Sequence, residues 1–595
     1  MLQSIFELIE ILDWRSRRRF IFLVFPITAT TILELMSVAL VLPVIQVVVM
    51  GKSDYPTVTE FFKYFSFFDD LSLSLAISVL FFLVFLLKGA VIVGTLYLIS
   101  LYVNYTIAEY TKKIFEIYLC FPMSFHTKSN SGLLLRDLNI CVLETMLAAK
   151  QAVMMLLDGL VMVTLICFLI YIEPEISIVL VLLLGGVGLL YHLIFSPLFR
   201  DWGERSLYLE GAKNKWILES FSGIRDVKVT DSVSYLVSKV YELSKKYAVV
   251  YSLTSSIIHV PRAVIESAIV GGFLFAVYFL SVEGYSREQA VTIIGLFGVS
   301  ALRLMPTLNR FLTSASELRR LSPAIKNTYS TMLRSKLNDN GKNADNQSEE
   351  IQFNSLINIR GISHSYSARK RVAVKVEKIS IKKGSTLALV GESGSGKSTL
   401  IDIILGLVKP KEGEVKVDGL EIQGNLPSWH KLIGFVPQNI FILDDSLRKN
   451  IAFGLPNDQI DDVQVRRVLN MSMLGHLEEE LPNGLDTFLG EQGAILSGGQ
   501  RQRVVIARSL YRNPQLLILD EAMSDLDYKT ASEISKIIDS ISGQITVISV
   551  VHDLSNIQMF DNILVLRAGS VVAEGKYEEL IKNSVDFKKL TSSKT

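Results

Sequence analysis

Six long apolar segments separated by polar stretches dominate the first half of the chain. They span residues 20–50, 71–101, 152–172, 176–198, 247–282 and 290–316. Each exceeds the ~20 apolar residues that a helix needs to cross the ~30 Å hydrocarbon core of a bilayer. Half of all residues are hydrophobic, a share that is too high for a wholly soluble protein. The pattern therefore predicts six transmembrane helices.

Basic residues beside these segments predict the orientation of the chain in the membrane. The loop 199–246 is rich in lysine and arginine, whereas the loops predicted outside hold Lys52, Lys63 and Arg287. Because basic loops favour the cytoplasmic side, we expect both termini in the cytoplasm. The formal net charge of the whole chain is +1, so no general attraction to nucleic acid is expected.

Residues 1–19 predict an amphipathic helix on the membrane surface rather than a cleavable signal peptide. Apolar residues recur at helical spacing, and a basic cluster follows them instead of preceding them. The apolar positions are Leu2, Ile5, Phe6, Ile9 and Leu12, and the basic ones are Arg15, Arg17, Arg18 and Arg19.

Changes in polarity divide the rest of the chain into domains. Residues 20–332 hold the apolar segments and two long inner loops, 102–150 and 199–246, which we expect to be helical. Residues 53–70 are rich in aromatic side chains, which favours an interfacial helix on the outer face. Residues 333–350 are polar and predict a linker, and 351–595 are expected to form a cytoplasmic domain.

The cytoplasmic domain contains a phosphate-binding loop after a short apolar strand. The loop fits the pattern G-x-x-x-x-G-K-[ST], in which backbone N–H groups surround phosphate oxygens. Its residues are Gly391, Glu392, Ser393, Gly394, Ser395, Gly396, Lys397, Ser398 and Thr399. In this pattern Lys397 contacts the β- and γ-phosphates, and the Ser398 hydroxyl can hold Mg²⁺.

Further motifs of the same domain resemble those of ABC exporters. They follow one another in the order typical of that family. Tyr366 corresponds to the aromatic residue that stacks on adenine, and Gln438 to the Q-loop glutamine. The signature is Ser497, Gly498, Gly499 and Gln500, then Asp520 and Glu521 follow an apolar strand, and His552 corresponds to the switch histidine. The resemblance implies a membrane protein in which a six-helix type IV exporter transmembrane domain precedes an α/β P-loop NTPase cassette.

The resemblance also implies roles for these residues and a bound ATP with Mg²⁺. Ser398, Gln438 and Asp520 would hold the metal ion, Glu521 would activate the attacking water, and His552 would contact the γ-phosphate. In this family Ser497 and Gly499 reach the ATP of a second cassette, which implies a dimer. Because every motif is complete, a homodimer is favoured over a heterodimer with one degenerate site.

Charged residues inside the apolar segments are costly and therefore suggest function. They are Glu34, Lys88, Asp158, Arg262, Glu266, Arg303 and Arg310. The cations Lys88, Arg262 and Arg303 lie at comparable depth along their helices and would suit an anionic head group. Internal pairing is the alternative, with Glu34 as a partner for Lys88 and Glu266 for Arg262.

The membrane half is similar to that of PglK-type bacterial flippases for lipid-linked oligosaccharides. The resemblance rests on segments around Glu34, Arg262 and Arg303, and on the extra outer segment. It implies transport of a polyprenyl-diphosphate-linked oligosaccharide across a bacterial inner membrane, with Arg262 and Arg303 at the pyrophosphate. Lys88 stands where that family has arginine. Export of other lipids, hydrophobic drugs or peptides is the alternative.

Overall fold

The computed structural model describes residues 2–40, 73–172, 174–282, 287–342, 349–366, 372–522 and 528–592. The chain divides into two compact units. The first is made of Met1–Phe121 and Phe125–Asn340, and the second holds Gly341–Thr595. The outer helix expected at 53–70 lies outside the described residues.

The described part of the chain up to Lys342 is almost entirely helical. Its helices are α1 (Leu2–Ile11), α2 (Trp14–Phe22), α3 (Val24–Ala39), α4 (Leu73–Cys120), α5 (Met123–His126), α6 (Ser131–Arg136), α7 (Val142–Ile172), α8 (Pro174–Ser222), α9 (Ile224–Val229), α10 (Val233–Ile257), α11 (Val260–Val282), α12 (Arg287–Arg320) and α13 (Ser322–Lys342). A π-helical turn, Asp137–Cys141, joins α6 to α7.

Within the described residues, five helical stretches are long and apolar enough to cross a membrane. They are Trp14–Ala39, Ser78–Cys120, Ser131–Tyr171, Val181–Ser222 and Val233–Leu280. Each overlaps one of the first five predicted segments. The sixth predicted segment lies within α12, which packs extensively on α7 and on α11. Several of these helices continue far beyond the apolar segments, so the inner loops are helical as expected.

The amphipathic helix expected at the N-terminus has two apolar faces instead of one. Leu8, Ile11 and Leu12 are buried in the largest core of the first unit, whereas Phe6 and Ile9 are exposed. Of the predicted stripe, Leu12 is buried and Phe6 and Ile9 are exposed, and the buried residues Leu8 and Ile11 were not part of that stripe. Sequence spacing cannot show which part of a helix surface is packed. The exposed face remains suited to a membrane surface.

The linker expected at 333–350 begins with ordered helix. Helix α13 continues to Lys342, through the first ten predicted linker positions. Ala324, Ile325 and Met332 of this helix are buried, and an anchored helix propagates readily into polar sequence.

The second unit is built on one sheet of ten strands in the order β5-β4-β1-β2-β10-β9-β3-β8-β7-β6. The strands are β1 (Leu356–His364), β2 (Val374–Lys382), β3 (Thr386–Gly391), β4 (Glu412–Val417), β5 (Leu420–Glu421), β6 (Ile433–Val436), β7 (Leu516–Leu519), β8 (Thr546–Val550), β9 (Asn562–Arg567) and β10 (Ser570–Gly575). Strand β1 pairs antiparallel with β2 and β4, and β4 pairs antiparallel with β5. Strands β3, β6, β7, β8 and β9 form a parallel group. Strand β10 joins the two groups, parallel to β2 and antiparallel to β9.

Helices cover the sheet. They are α14 (Lys397–Ile404), α15 (Leu426–Lys431), α16 (Leu447–Ile451), α17 (Asp462–Met471), α18 (Leu477–Glu480), α19 (Gly498–Tyr511), α20 (Tyr528–Ile541), α21 (Tyr577–Asn583) and α22 (Val585–Ser592).

The parallel strands place the candidate site residues at one edge of the sheet. The fully buried strands β7 and β8 lie side by side, and β8 also pairs with β3. Ligands of such sheets bind beyond the carboxyl ends of the strands. The phosphate-binding loop follows β3, Asp520 and Glu521 follow β7, and His552 follows β8. The topology therefore places these motifs together.

Candidate nucleotide site

Two glycines determine the shape of the phosphate-binding loop. Gly391 and Gly396 have φ angles of 153° and 104°. A Cβ on Gly396 would lie 2.5 Å from the Ala373 carbonyl oxygen, and one on Gly391 would lie 2.2 Å from that of Leu566. Side chains cannot be accommodated there. Gly396 is the N-cap of α14, so the first N–H groups of this helix face the phosphate position.

Lys397 is held inside this loop by backbone carbonyls. Its Nζ donates to the carbonyl oxygens of Gly391 at 2.8 Å and Glu392 at 3.1 Å, and the residue is buried. The loop thus orients a buried cation through its own backbone carbonyl oxygens. A phosphate would meet this positive charge in a partly dehydrated place.

A cavity of about 340 Å³ collects most of the predicted nucleotide residues. Among the residues that line it are Tyr366, Ser393, Gly394, Ser395, Gly396, Lys397, Ser398, Thr399, Gln438 and Glu521. The Tyr366 ring is partly exposed, and its hydroxyl lies 3.4 Å from Thr399 Oγ1. Its place at the cavity is compatible with stacking on a base.

Asp520 has the properties expected of a metal-associated carboxylate. The residue is 9% exposed, and its Oδ1 atom is buried without a hydrogen-bond partner among the described residues. Burial and the neighbouring Glu521 raise the pKa of Asp520, whereas Lys397 and His552 oppose the rise. An unsatisfied carboxylate oxygen next to a site lined by Ser398 and Gln438 fits Mg²⁺, which prefers oxygen ligands.

Glu521 is oriented by two neighbours. Its Oε1 lies 2.6 Å from His552 Nε2, and Gln438 Nε2 donates to Oε2. The φ angle of Glu521 is 54°, a left-handed conformation that residues with a side chain rarely adopt. Such conformations concentrate at functional sites, where surrounding structure stabilises them. The carboxylate therefore lies between a histidine and a glutamine at the cavity wall.

The signature residues 497–500 all lie in the described part of the structure, but none of them lines this cavity. Ser497 is instead the N-cap of α19. Its Oγ accepts from the Gln500 backbone N–H at 3.2 Å, and Gln500 Oε1 accepts from the Ser497 N–H at 2.9 Å. Gly498 has open space around it. The reciprocal cap presents the N-terminus of α19 outward, in a geometry that suits an anion.

Comparisons with known proteins identify the family. The family model for ABC transporters matches residues 374–524. The heterocyst differentiation ATP-binding protein HepA of Nostoc is 31% identical over 495 residues, which are 79% of this chain and 76% of that protein. The chain belongs to the ABC transporter family. Its cassette binds ATP, and its function is ATP hydrolysis coupled to export.

Other comparisons extend to the whole length of this ABC exporter. An ATP-dependent lipid A-core flippase of Alkalilimnicola ehrlichii is 27% identical over 519 residues, which are 85% of each chain. The structure of a bacterial Atm1-family ABC exporter with ATP bound superimposes with a TM-score of 0.81 at 20% identity, over 97% of this chain and 99% of that one. The fold is therefore that of an ABC exporter, with an apolar helical membrane domain followed by an α/β NTPase cassette.

The sequence analysis did not predict Val372, Ala373, Ala568 and Gly569, which line the cavity of the exporter's nucleotide site, or the titratable residue Asp402 beside that site. Asp402 lies on α14, five positions after Lys397, on the side that faces Asp520. Burial, and to a smaller extent the charge of Asp520, raise the pKa of Asp402 to about 6. The sequence signal for Asp402 was its position in α14, the helix that follows the phosphate-binding loop. Whether Asp402 approaches the end of β7 depends on the rotation of α14 about its axis.

The membrane half gives two of the three predicted substrate cations an internal partner. Lys88 is buried, forms an ion pair with Glu34, and lies 5.2 Å from the centre of the Phe85 ring. Arg262 Nε lies 3.1 Å from Glu266 Oε1, but the Arg262 side chain is 66% exposed. Arg303 lies in α12, and its side chain is outside the described part of the structure.

A third ion pair joins two helices of the membrane half. Arg310 donates from Nη2 to Asp158 Oδ1 at 2.8 Å, between α12 and α7. The Asp158 side chain is fully buried, whereas that of Arg310 is 48% exposed. Because Asp158 is neutralised inside the helix pair, this contact has the character of a structural interaction.

Proposed function

We propose that this exporter flips a polyprenyl-diphosphate-linked oligosaccharide from the inner to the outer leaflet of a bacterial inner membrane. The observation that carries the proposal is Arg262, a largely exposed guanidinium in the apolar helix α11. Such a charge is costly in hydrocarbon unless it meets water or an anion. Its pair with Glu266 is an exposed contact within one helix, which contributes little stability.

An anionic head group is the ligand that best suits Arg262. A guanidinium donates two parallel hydrogen bonds to phosphate, and a diphosphate offers several acceptors. We assign the head-group role to Arg262 and Arg303. Lys88 is better explained by its buried pair with Glu34, because removal of an anion from that place would leave the ammonium uncompensated.

An apolar cavity in the same unit, called the hydrocarbon cavity below, supports a lipid substrate. It has a volume of about 470 Å³ and lies between α7, α8 and α12, with Leu184, Leu304 and Phe311 among its lining residues. Its walls are almost entirely apolar, and His192 and Ser177 are their polar members. A cavity of this kind can hold part of an isoprenoid or acyl chain.

Lipid A-core is the second candidate substrate. Several relatives that match this chain over most of its length are named ATP-dependent lipid A-core flippases. A phosphorylated glycolipid shares with the polyprenyl diphosphate an anionic head group and long hydrocarbon chains. Both substrates would therefore present a phosphate group to Arg262. A transport assay with defined lipids is needed to distinguish them.

The proposed working form is a homodimer that uses Mg²⁺ with ATP and has both termini in the cytoplasm. Support comes from the signature motif, which is capped and complete but stands apart from the cavity of its own chain. Support for the metal ion comes from the unsatisfied Oδ1 atom of Asp520. The basic loops of the membrane half support the orientation.

A transport assay in proteoliposomes tests the substrate. Lipid-linked oligosaccharide or lipid A-core is placed in the membrane, and ATP-dependent appearance of the sugar on the opposite leaflet is measured by lectin binding. We expect transport of the oligosaccharide lipid, and its loss with retained ATPase activity in Arg262→Leu. Transport of lipid A-core alone would favour the second candidate, and transport of neither would contradict the proposal.

Two further variants separate head-group binding from internal pairing. The double variant with Arg262→Leu and Glu266→Leu removes both members of the pair, so it should remain stable yet fail to transport. Recovery of transport in this variant would contradict the head-group role. Lys246→Leu is the matched control, because Lys246 forms a similar exposed pair with Glu242 one helix earlier. It should transport normally.

A further inference from the structure

A second apolar groove lies at the N-terminal end of the membrane half, away from the hydrocarbon cavity. It is formed by α2 and α3 on one side and α4 on the other, with a volume of about 870 Å³. Along α4 it extends from Val91 to Tyr105, about 21 Å at ~1.5 Å per helical residue. One leaflet of a bilayer has a hydrocarbon depth of about 15 Å, so the groove covers one leaflet and its polar boundary.

The two ends of this groove differ in polarity. Leu98, Phe25 and Pro26 line its apolar part, and Gly94 leaves the floor open. Arg19, Tyr102 and Tyr105 line its other end. Tyrosine and arginine at one end of an apolar surface are typical of the region where lipid head groups lie.

Positive charge is concentrated at the polar end. Arg19 is 47% exposed and donates to Glu109 at 3.0 Å, in a pair that is open to solvent on both sides. Arg18 stacks over the Trp14 ring at 4.9 Å, and Arg15 is exposed. Arg17 differs, because it donates to the Ile9 and Leu12 carbonyl oxygens and so stabilises the end of α1.

We infer that the groove binds an acidic phospholipid, with an acyl chain along α4 and the phosphate at Arg19. The charge at its polar end complements an anionic head group, and each basic residue near a membrane surface favours anionic lipid about fivefold. A lipid that merely surrounds the protein would show no head-group preference. The site is independent of the transported substrate, since it shares no residue with the hydrocarbon cavity or with Arg262.

The chain offers a matched pair of variants for this site. A Cβ at Gly94 would meet nothing within 4 Å, and the same is true at Gly89 on the same helix. Gly94 lines the groove, whereas Gly89 does not. Gly94→Leu should therefore place a larger side chain in the groove, and Gly89→Leu is the control for the same change in helix composition.

Native mass spectrometry of the purified full-length exporter tests the inference. Phosphatidylglycerol and phosphatidylcholine with identical acyl chains are titrated separately. We expect about fivefold tighter binding of phosphatidylglycerol, weaker binding of both lipids in Gly94→Leu, and no change in Gly89→Leu. Equal affinities in the unaltered chain would overturn the inference. Absence of bound lipid would also overturn it.

Variants of Arg19 test the head-group contact separately from the groove. Arg19→Gln should abolish the preference for phosphatidylglycerol while phosphatidylcholine still binds, and Arg19→Lys should restore most of it. The double variant with Arg19→Gln and Glu109→Gln removes the exposed ion pair as a whole. Its preference should match that of Arg19→Gln. A retained preference in both glutamine variants would place the lipid phosphate elsewhere.

Discussion

At the residue scale, we propose that Glu521 activates the attacking water, because of how its carboxylate is held. The carboxylate follows β7, has a left-handed backbone, and contacts both His552 and Gln438. Its neighbour Asp520 is buried with an unsatisfied oxygen and is suited to the metal ion. Two adjacent carboxylates thus have different surroundings, which is the usual way in which one site separates a metal-binding role from a base role.

Glu521→Gln should leave ATP binding intact while hydrolysis falls by about 10²–10⁴-fold. Glutamine keeps the size of the side chain and can still contact His552, but it cannot accept a proton from water. Phosphate release and equilibrium nucleotide binding are measured on the same purified protein. Glu479→Gln, an exposed position on α18, is the control. Near-normal turnover in Glu521→Gln would assign the base elsewhere.

Asp402 should make the stability of the cassette depend on pH. Its pKa is about 6 in the folded protein, above the usual 3.8, so folding favours its protonated form. The associated stability is therefore complete below about pH 4 and is lost as the pH rises towards 6. The difference in pKa corresponds to at most about 3 kcal/mol, and partial exposure lowers this figure.

Asp402→Asn should remove this loss, so that the variant is more stable by about 1–3 kcal/mol at pH 7.5. Unfolding of the full-length protein is followed between pH 4 and 8 in EDTA, because Mg²⁺ would alter the charge next to Asp402. Both proteins should have similar stability near pH 4. A constant difference over the whole range would show that titration of Asp402 is not the cause.

Motif residues were accessible to prediction from the sequence because fixed spacing places them on a known turn or strand end. The phosphate-binding loop from Gly391 to Thr399 is one example. Contacts that depend on helix rotation could not be predicted from the sequence, and the approach of Asp402 to Asp520 is an example. The pair of Lys88 with Glu34 was foreseen as one of two alternatives, and packing between α3 and α4 gives Lys88 this partner.

At the element scale, close contact between helices relies on single glycines. Gly203 lies in the long helix α8, where a Cβ would be 2.0 Å from the Arg320 carbonyl oxygen at the end of α12. Gly132 in α6 is similar, because a Cβ added there would lie 2.8 Å from the Lys215 backbone of α8. These contacts allow helix backbones to approach each other more closely than larger residues would permit.

Gly203→Ala should destabilise the membrane half, because the methyl group would force α8 and α12 apart. Overpacking of this kind typically costs about 1–3 kcal/mol. Gly186→Ala on the same helix meets nothing within 4 Å and should be neutral or stabilising by up to ~1 kcal/mol. The thermal unfolding temperatures of the two variants are compared in one detergent. Equal temperatures would indicate that α12 adjusts without cost.

Element boundaries illustrate what sequence patterns leave open. Apolar length predicted the spanning segments because the bilayer imposes a minimum. The inner loops 102–150 and 199–246 were expected to be helical, but apolar length does not determine where α4 and α8 end or where α10 begins within polar sequence. The same reason explains α13, which continues into residues whose polarity predicted a linker.

At the scale of the whole molecule, the signature residues lie apart from the nucleotide cavity of their own chain. The cavity holds the phosphate-binding loop, Gln438 and Glu521, but the N-terminus of α19 with Ser497 is directed elsewhere. A second copy could supply that N-terminus, with its capping box and its partial positive charge. The proposed homodimer would then contain two composite sites.

Mixed dimers test this arrangement. Chains with Lys397→Ala and chains with Ser497→Arg are each expected to form inactive homodimers. When they are co-expressed with different tags and the mixed dimer is isolated, one composite site combines an intact loop with an intact signature, so ATPase activity should reappear. The control pairs the unaltered chain with a chain that carries both substitutions. There each site would combine one intact and one defective part, so activity should be absent. The opposite result, activity in the control but not in the first mixture, would mean that each chain completes its own site.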